Sequence, residues 1–189
     1  MITKYWTVQS QEVLQVLEKE DLYCPKFTLS QYYKQHHQIY DFMLKSFNNI
    51  NNLNCEGLIF AFCVSVNDTI YPISNIEGFR YFINMNKDKI IYLWDNFIKN
   101  DYKILELEID LSFNDLALPF NDFQYIMPGE VNKLLFDPTE YKNRCDLILS
   151  NISKGQIMSS GEKYDLIQSH LPDIKKLDIK NIYEIFTLE

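Results

Sequence analysis

His170 stands in the stretch Ile167-Gln168-Ser169-His170-Leu171-Pro172, one titratable imidazole inside an apolar run. Histidine titrates near neutrality, and residues two apart on a strand share a face, so Gln168 and His170 are expected to point the same way. Such a pair suits general acid/base work or the engagement of a ribose. The alternative is a core histidine hydrogen-bonded to a carbonyl. Glu106, Glu108 and Asp110 alternate with Leu105, Leu107 and Ile109. Carboxylates sharing a strand face at intervals of about 7 Å raise one another's pKa, and two of them in different surroundings can divide acid and base roles. Glu108 is the candidate catalytic carboxylate of this set, and a hydrolase built on Glu106 and Glu108 is one functional option. A solvated outer face explains the same alternation and is preferred, with all three carboxylates in water. His36 lies one helical turn from Tyr33 and Tyr40, a cluster that suits either stacking on a flat ligand ring or packing a helix on a sheet. His37 is expected to point elsewhere, into solvent.

Metal and nucleophile chemistry find little support. The three histidines and four cysteines, Cys24, Cys55, Cys63 and Cys145, form no pair at ligand spacing, so no metal site is expected. No Gly-x-Ser-x-Gly elbow and no glycine-rich phosphate loop occurs.

The elements that must position these residues follow from periodicity. Thr3 to Val8 reads as a strand, and Ser10 as the N-cap of a helix bearing Val13, Leu14, Val16 and Leu17. Leu29 to Phe47 carries apolar residues at helical spacing, and Asn48 to Asn54 reads as a loop. Leu58 to Val66 reads as a strand covered on both faces, with Thr69 to Ile73 as its hairpin partner. A helix is expected from about Asp88 to Lys99, then the strand with Leu105, Leu107 and Ile109, one face covered. Leu111 to Glu130 reads as irregular, broken by Pro119 and Pro128-Gly129. Asp137-Pro138-Thr139-Glu140 is a strong helix start, with the helix ending near Asn151. Gln156 to Glu189 supplies one or two strands and a turn. The order of elements lacks a βαβ period, so the expectation is one α+β domain over residues 1–189, a mixed or split β-sheet with flanking helices.

A chain of 189 residues with 47% apolar and 15% aromatic content has ample core for that domain. The net charge of −8, from 18 Lys plus Arg against 26 Asp plus Glu, opposes the electrostatic term that drives proteins onto nucleic acid or anionic membranes. Arg80 and Arg144 alone are available for bidentate phosphate recognition. General nucleic-acid binding is therefore not expected. Scattered cysteines and an N-terminal stretch without a signal-peptide core point to the cytoplasm, where the triplets Asn67-Asp68-Thr69 and Asn151-Ile152-Ser153 have no glycosylation meaning. No apolar run is long enough to span a bilayer.

The opening Tyr5-Trp6-Thr7-Val8-Gln9, the stretch Gly57-Leu58-Ile59-Phe60-Ala61-Phe62, the run Ile104 to Asp110 and the closing Ile167 to Pro172 with Ile174, Leu177, Ile179, Ile182 and Ile185 give the chain a pattern. It resembles the bacterial family named domain of unknown function 3841, over nearly the whole length; that family carries no established activity. A fainter likeness concerns the fold. A first strand leading into a helix, and a late strand running through Gln168-Ser169-His170 into Pro172 and Ile174, is similar to the ADP-ribosyltransferase superfamily. That resemblance implies a cleft in a split sheet binding NAD or a related nucleotide, with NAD as substrate and no tightly bound cofactor. It places Trp6, Thr7, Gln9, Tyr33, His36 and Gln168 around the ligand, and His170 where the superfamily keeps a catalytic glutamate. A neutral histidine serves that task poorly, and the superfamily's first-strand histidine or arginine is replaced around Thr7 and Val8. The alternative on the same fold is a non-catalytic module that uses exposed aromatics and an acidic surface against a protein partner.

Overall fold

The computed structural model describes residues 2–30, 32–63, 65–66, 69–70, 73–127, 137–156 and 165–189, with the side chains of 63–72 and of Gln124 excepted. The expected break at Pro128-Gly129, the Val64 position and the Asn67-Asp68 pair lie outside them. The chain begins with β1 (Ile2–Gln9), α1 (Gln11–Glu20) and β2 (Leu22–Tyr23). A short 3-10 turn, Phe27–Leu29, precedes α2 (Tyr33–Asn51), β3 (Ile59–Cys63) and the hairpin β4 (Ser65–Val66) and β5 (Thr69–Ile70). Next come α3 (Ile76–Met85), α4 (Lys87–Lys99), β6 (Lys103–Asp110), β7 (Leu118–Pro119), α5 (Phe120–Ile126) and α6 (Pro138–Ser153). The chain closes with β8 (Ile167–Leu171), β9 (Ile174–Lys175), the 3-10 turn Lys176–Asp178 and β10 (Ile179–Glu184).

Six strands form one sheet in the order β10-β6-β1-β3-β8-β7, and β2-β9 and β4-β5 are separate pairs. Every pairing described is antiparallel, so the α+β expectation holds while a mixed sheet gives way to an antiparallel one. The central ladder is uneven. β1 pairs with β6 along its whole length, from Ile2↔Asp110 to Gln9↔Lys103. β3 pairs with β8 from Ile59↔Leu171 to Phe62↔Gln168. Between β1 and β3 only Tyr5↔Cys63 and Trp6↔Phe62 are matched. Beyond Trp6 the two strands diverge and the sheet forks.

Alternation of side chains across β1, β3 and β6 splits the core. Trp6, Val8, Phe62 and Ile104 pack against Phe79, Ile83 and Trp94 of α3 and α4, with Trp6 stacked on Phe79 at 4.8 Å. Tyr5, Ile59, Leu105 and Leu107 face α1 through Val13 and Leu17. The far end of the sheet carries a third group, in which Phe47 of α2 and Ile148 and Ile152 of α6 meet Leu58 and Leu118.

Several element boundaries differ from expectation for local reasons. α2 runs through the asparagine-rich stretch to Asn51 and stops where Asn52 takes a left-handed φ of 53°, a conformation asparagine tolerates. α3, absent from the expected set, is started by Asn75, whose side chain accepts from the Gly78 N–H at 2.9 Å. Its Phe79, Phe82 and Ile83 repeat at helical spacing. α5 and the two-residue β7 occupy part of the supposedly irregular region. The N-terminus of α6 is as expected: Asp137 Oδ1 accepts from the N–H groups of Thr139 and Glu140 at 2.9 and 3.2 Å.

Candidate functional site

The fork between β1 and β3 opens into a groove of about 430 Å³. Its floor is Val8 and Gln9 on one side and Leu58 to Phe62 on the other, with Gln168 of β8 behind. One wall is the connection from Tyr23 to Tyr32 together with Tyr40 of α2; the other is the end of α4 with Phe97, followed by Tyr102. Phe97 and Tyr102 stack at 5.3 Å, and Tyr40 packs on Phe60 at 5.8 Å. These aromatic walls provide the flat apolar contacts that ring ligands take.

Main-chain geometry fixes the walls in place. The N–H of Phe27 donates to the Glu56 carbonyl at 3.1 Å, and Lys26 pairs with Glu56 at 2.7 Å. Gly57 permits this approach: a Cβ there would stand 2.8 Å from the Pro25 oxygen and from the Phe27 nitrogen. Only glycine lets two backbones pass so closely.

Polar groups at the floor, and Thr7 just beneath it and outside the lining, are held by named partners. Thr7 is fully buried; its hydroxyl donates to the Phe60 carbonyl at 2.8 Å, a side-chain tie where the β1-β3 ladder has ended. Gln9 Nε2 donates to Thr7 Oγ1 at 2.7 Å. Gln168 is 4% exposed, and its Nε2 lies 3.4 Å from His170 Nε2. Burial and the Tyr32 phenol push the Tyr40 hydroxyl up to about 12, although a Ser30 hydrogen bond pulls it down. Among the described residues no aspartate, glutamate, histidine or cysteine lines this groove.

His170 sits one layer deeper, fully buried between Phe60 and Phe123. Its Nδ1 is 2.8 Å from the Leu116 carbonyl, and burial drives its pKa down to about 4 against the pull of that hydrogen bond. At neutral pH it is therefore an uncharged imidazole in the core, touching the groove through Gln168. Leu116 adopts a left-handed φ of 45°, unusual for a branched side chain. The adjacent Asp115 accepts from the Tyr5 hydroxyl at 2.9 Å, and its carbonyl accepts from the His170 N–H at 2.7 Å.

The remaining expected site residues are placed elsewhere. Trp6 is wholly buried, its Nε1 donating to the Ile73 carbonyl at 3.1 Å, and it does not line the groove. Tyr33 donates its hydroxyl to Asp41 at 2.8 Å and meets Tyr40 edge-on, outside the lining; its neighbour Tyr32 takes the place in the wall. His36 falls at a kink in α2, with φ −129° and ψ 24°, which breaks the helical spacing that joined it to Tyr33 and Tyr40. His37, expected to point into solvent, is exposed, although its ring lies 6.4 Å from that of Tyr33.

The outer-face expectation for Glu106, Glu108 and Asp110 needs correction at its first member. Glu106 is 5% exposed, opposite Trp6 in the ladder, and accepts from Lys4, Asn181 and Tyr183. Burial raises its pKa, but those three hydrogen bonds and the Lys4 charge outweigh it and hold the carboxyl below its ordinary value. Glu108 is half-buried between Lys4 at 4.0 Å and Lys180 at 3.5 Å, and Asp110 is exposed. β1 and β3 separate this strand from β8, so Glu108 and His170 are not brought together.

The chain matches no protein-family model, no curated protein and no solved structure. Geometry alone therefore ranks the sites. A second cavity of about 580 Å³ lies beyond Pro25 and Lys26, lined by Cys24, Cys55, Asp110, Asp173 and Asp178. Burial and the Asp173 charge push both thiols up, away from the thiolate that nucleophilic or redox work requires. Among the described residues no group of three or more metal-ligating side chains is assembled, and no helix is long and apolar enough to cross a membrane.

Tyr32 and Phe97 fall within the helical spacing of Leu29 to Phe47 and of Asp88 to Lys99, which assigns them to packing faces, and Tyr102 stands outside regular elements, so none of the three was singled out as a site residue.

Proposed function

We propose that this chain is a non-catalytic binding module that takes a flat nucleotide-like ring in the fork between β1 and β3. The carrying observation is the groove itself: aromatic walls, two anchored glutamine carboxamides and, among the described residues, no acidic or histidine side chain in the lining. Ring stacking and carboxamide hydrogen bonds bind and orient; a proton-transfer step needs a titratable group within reach of the ligand. The forked sheet also supports an ADP-ribosyltransferase-like cleft, in which the ligand would be NAD or a fragment of it. Among the described residues Lys26 is the one cation of the lining, and it is already paired with Glu56, so the ring and not the phosphates dominates recognition.

Thermal unfolding with millimolar NAD, ADP-ribose and adenosine tests this reading. At a hundredfold excess over its dissociation constant, a ligand of the folded state adds about 2.7 kcal/mol by mass action. The expected result is a raised melting temperature with at least one of the three, and no release of nicotinamide from NAD above the buffer rate. Melting curves unchanged by all three overturn it.

The competing reading, a protein-interaction module, has its own observation. Tyr81, Met85, Ile91 and Tyr92 of α3 and α4 are 40% to 91% exposed, more apolar surface than adjacent helices usually leave in water.

A further inference from the structure

Two hydrogen-bond chains at the fork leave little freedom in how the groove presents itself. The atom facing His170 Nδ1 is a backbone carbonyl, that of Leu116. A carbonyl only accepts, so Nδ1 carries the proton and the neutral ring offers Nε2 as an acceptor. The Gln168 atom beside Nε2, at 3.4 Å, is then the amide nitrogen, and Oε1 lies on the opposite side of the carboxamide. Among the described residues no hydrogen bond to that oxygen is seen, and Gln168, 4% exposed, lines the groove.

The same logic runs through the other carboxamide. Thr7 spends its one hydroxyl proton on the Phe60 carbonyl, so Oγ1 can only accept from Gln9. Gln9 therefore turns its nitrogen toward Thr7 at 2.7 Å, and its Oε1 is left for solvent or ligand. Two glutamines usually read either donors or acceptors, since the amide can flip. Here both flips are fixed from behind.

From these contacts we infer that the groove selects a neutral planar ring bearing an exocyclic amino or amide N–H, read by the Oε1 atoms of Gln168 and Gln9, with His170 and Thr7 as positioning residues. The inference rests on the ring-binding reading and adds the chemistry of what is bound. At these two positions a ring that offers only acceptors meets carbonyl oxygens, and a buried acceptor left without a donor is penalised. A site built to hydrogen-bond a substrate N–H discriminates strongly against the analogue lacking it.

The experiment compares adenosine with purine riboside, which has the same ring and sugar without the exocyclic amino group. Dissociation constants are measured by calorimetry on the full chain. Adenosine is expected to bind about tenfold or more tightly. Gln168→Met and Gln9→Met preserve side-chain length and remove the acceptor, and each should bring the ratio toward one by weakening adenosine, while purine riboside, relieved of an unpaired acceptor, binds no more weakly than to the parent chain. His170→Phe keeps a buried ring but frees the Gln168 amide to flip; a smaller ratio with purine riboside affinity equal to or above that of the parent marks positioning, whereas a merely structural role would weaken both ligands. Should His170→Phe fail to fold, the two methionine variants decide alone. Equal affinities for the two ligands in the parent chain overturn the selection while leaving ring binding in place. A ratio that survives Gln168→Met overturns it equally, and binding of neither compound overturns both the selection and the ring-binding reading.

Discussion

Burial of a strand carboxylate is decided by its neighbours across the ladder, and the alternation around Glu106 does not contain them. Lys4 and Tyr183 come from strands at opposite ends of the chain, and together with Asn181 they make the Glu106 position dry and paired. Glu106→Gln takes from Lys4 its nearer, buried counter-charge, leaving only the half-exposed Glu108, and should cost about 1–3 kcal/mol in urea unfolding. Glu108→Gln, on a half-exposed group, should shift stability by roughly 0.5 kcal/mol or less. Equal effects at the two sites would show that the Glu106 cluster is solvated. His170 sets a second expectation, in pH. Its folded pKa of about 4 lies below the ordinary histidine value near 6.5. The stability gained by keeping it neutral is thus complete above about pH 6.5 and is lost as pH falls toward about 4. The loss across that window is on the order of 3 kcal/mol. Asp115 works in the opposite sense. Burial raises its pKa against the hydrogen bond from Tyr5, so its contribution is greatest in acid and declines as pH rises through the folded value. Comparing wild type with His170→Asn between pH 4.5 and 7 isolates the histidine term; parallel stability curves would contradict its burial.

At the scale of elements, the ones readable from sequence are those whose signals are local. Asp137, Pro138 and the following turn carry their own cap, and α6 starts where they say. Asp137→Ala should destabilise by about 1 kcal/mol, seen as a lower urea midpoint with an unchanged slope. β1, β6 and β8 were legible because each is an apolar or alternating run bounded by polar residues. α3 was not, because Gly78 and the adjacent Asn84 and Asn86 dilute a short helix whose stability comes from Phe79 and Ile83 in the core. The kink at His36 was equally hidden, since periodicity assumes an unbroken helix. Gly57 shows how one residue couples two elements without any periodic signature. Gly57→Ala drives a methyl into the Pro25 and Phe27 backbone, which cannot move away as a flexible side chain would. A loss of about 1–3 kcal/mol is expected, together with weaker ring binding, because the displaced segment is a groove wall. Full stability in that variant would mean the 25–27 segment is free to shift.

Across the whole molecule, the fork is a property of pairing and not of any stretch of sequence. β1 follows β6 to its end, β3 follows β8, and the two halves part after Trp6↔Phe62. A sequence reading can name Gln9 and Gln168 and expect a split sheet, but it cannot say that residues near 9, 32, 60, 97 and 168 surround one space, since that depends on strand order and on a glycine contact. This dispersion gives a test that no single mutant provides. A ligand seated in the fork should slow amide exchange where its contacts are: the end of β1, the Tyr23 to Tyr32 connection, the start of β3 and the end of α4. The α6 helix, remote from the lining, should change only as far as global stability rises. Exchange measured with and without saturating adenosine, at matched temperature and pH, therefore has a distinctive map. Protection concentrated on the exposed faces of α3 and α4 would shift the functional surface to Tyr81 and Tyr92. Protection confined to the four fork segments would place the ligand between strands that only the folded chain brings together.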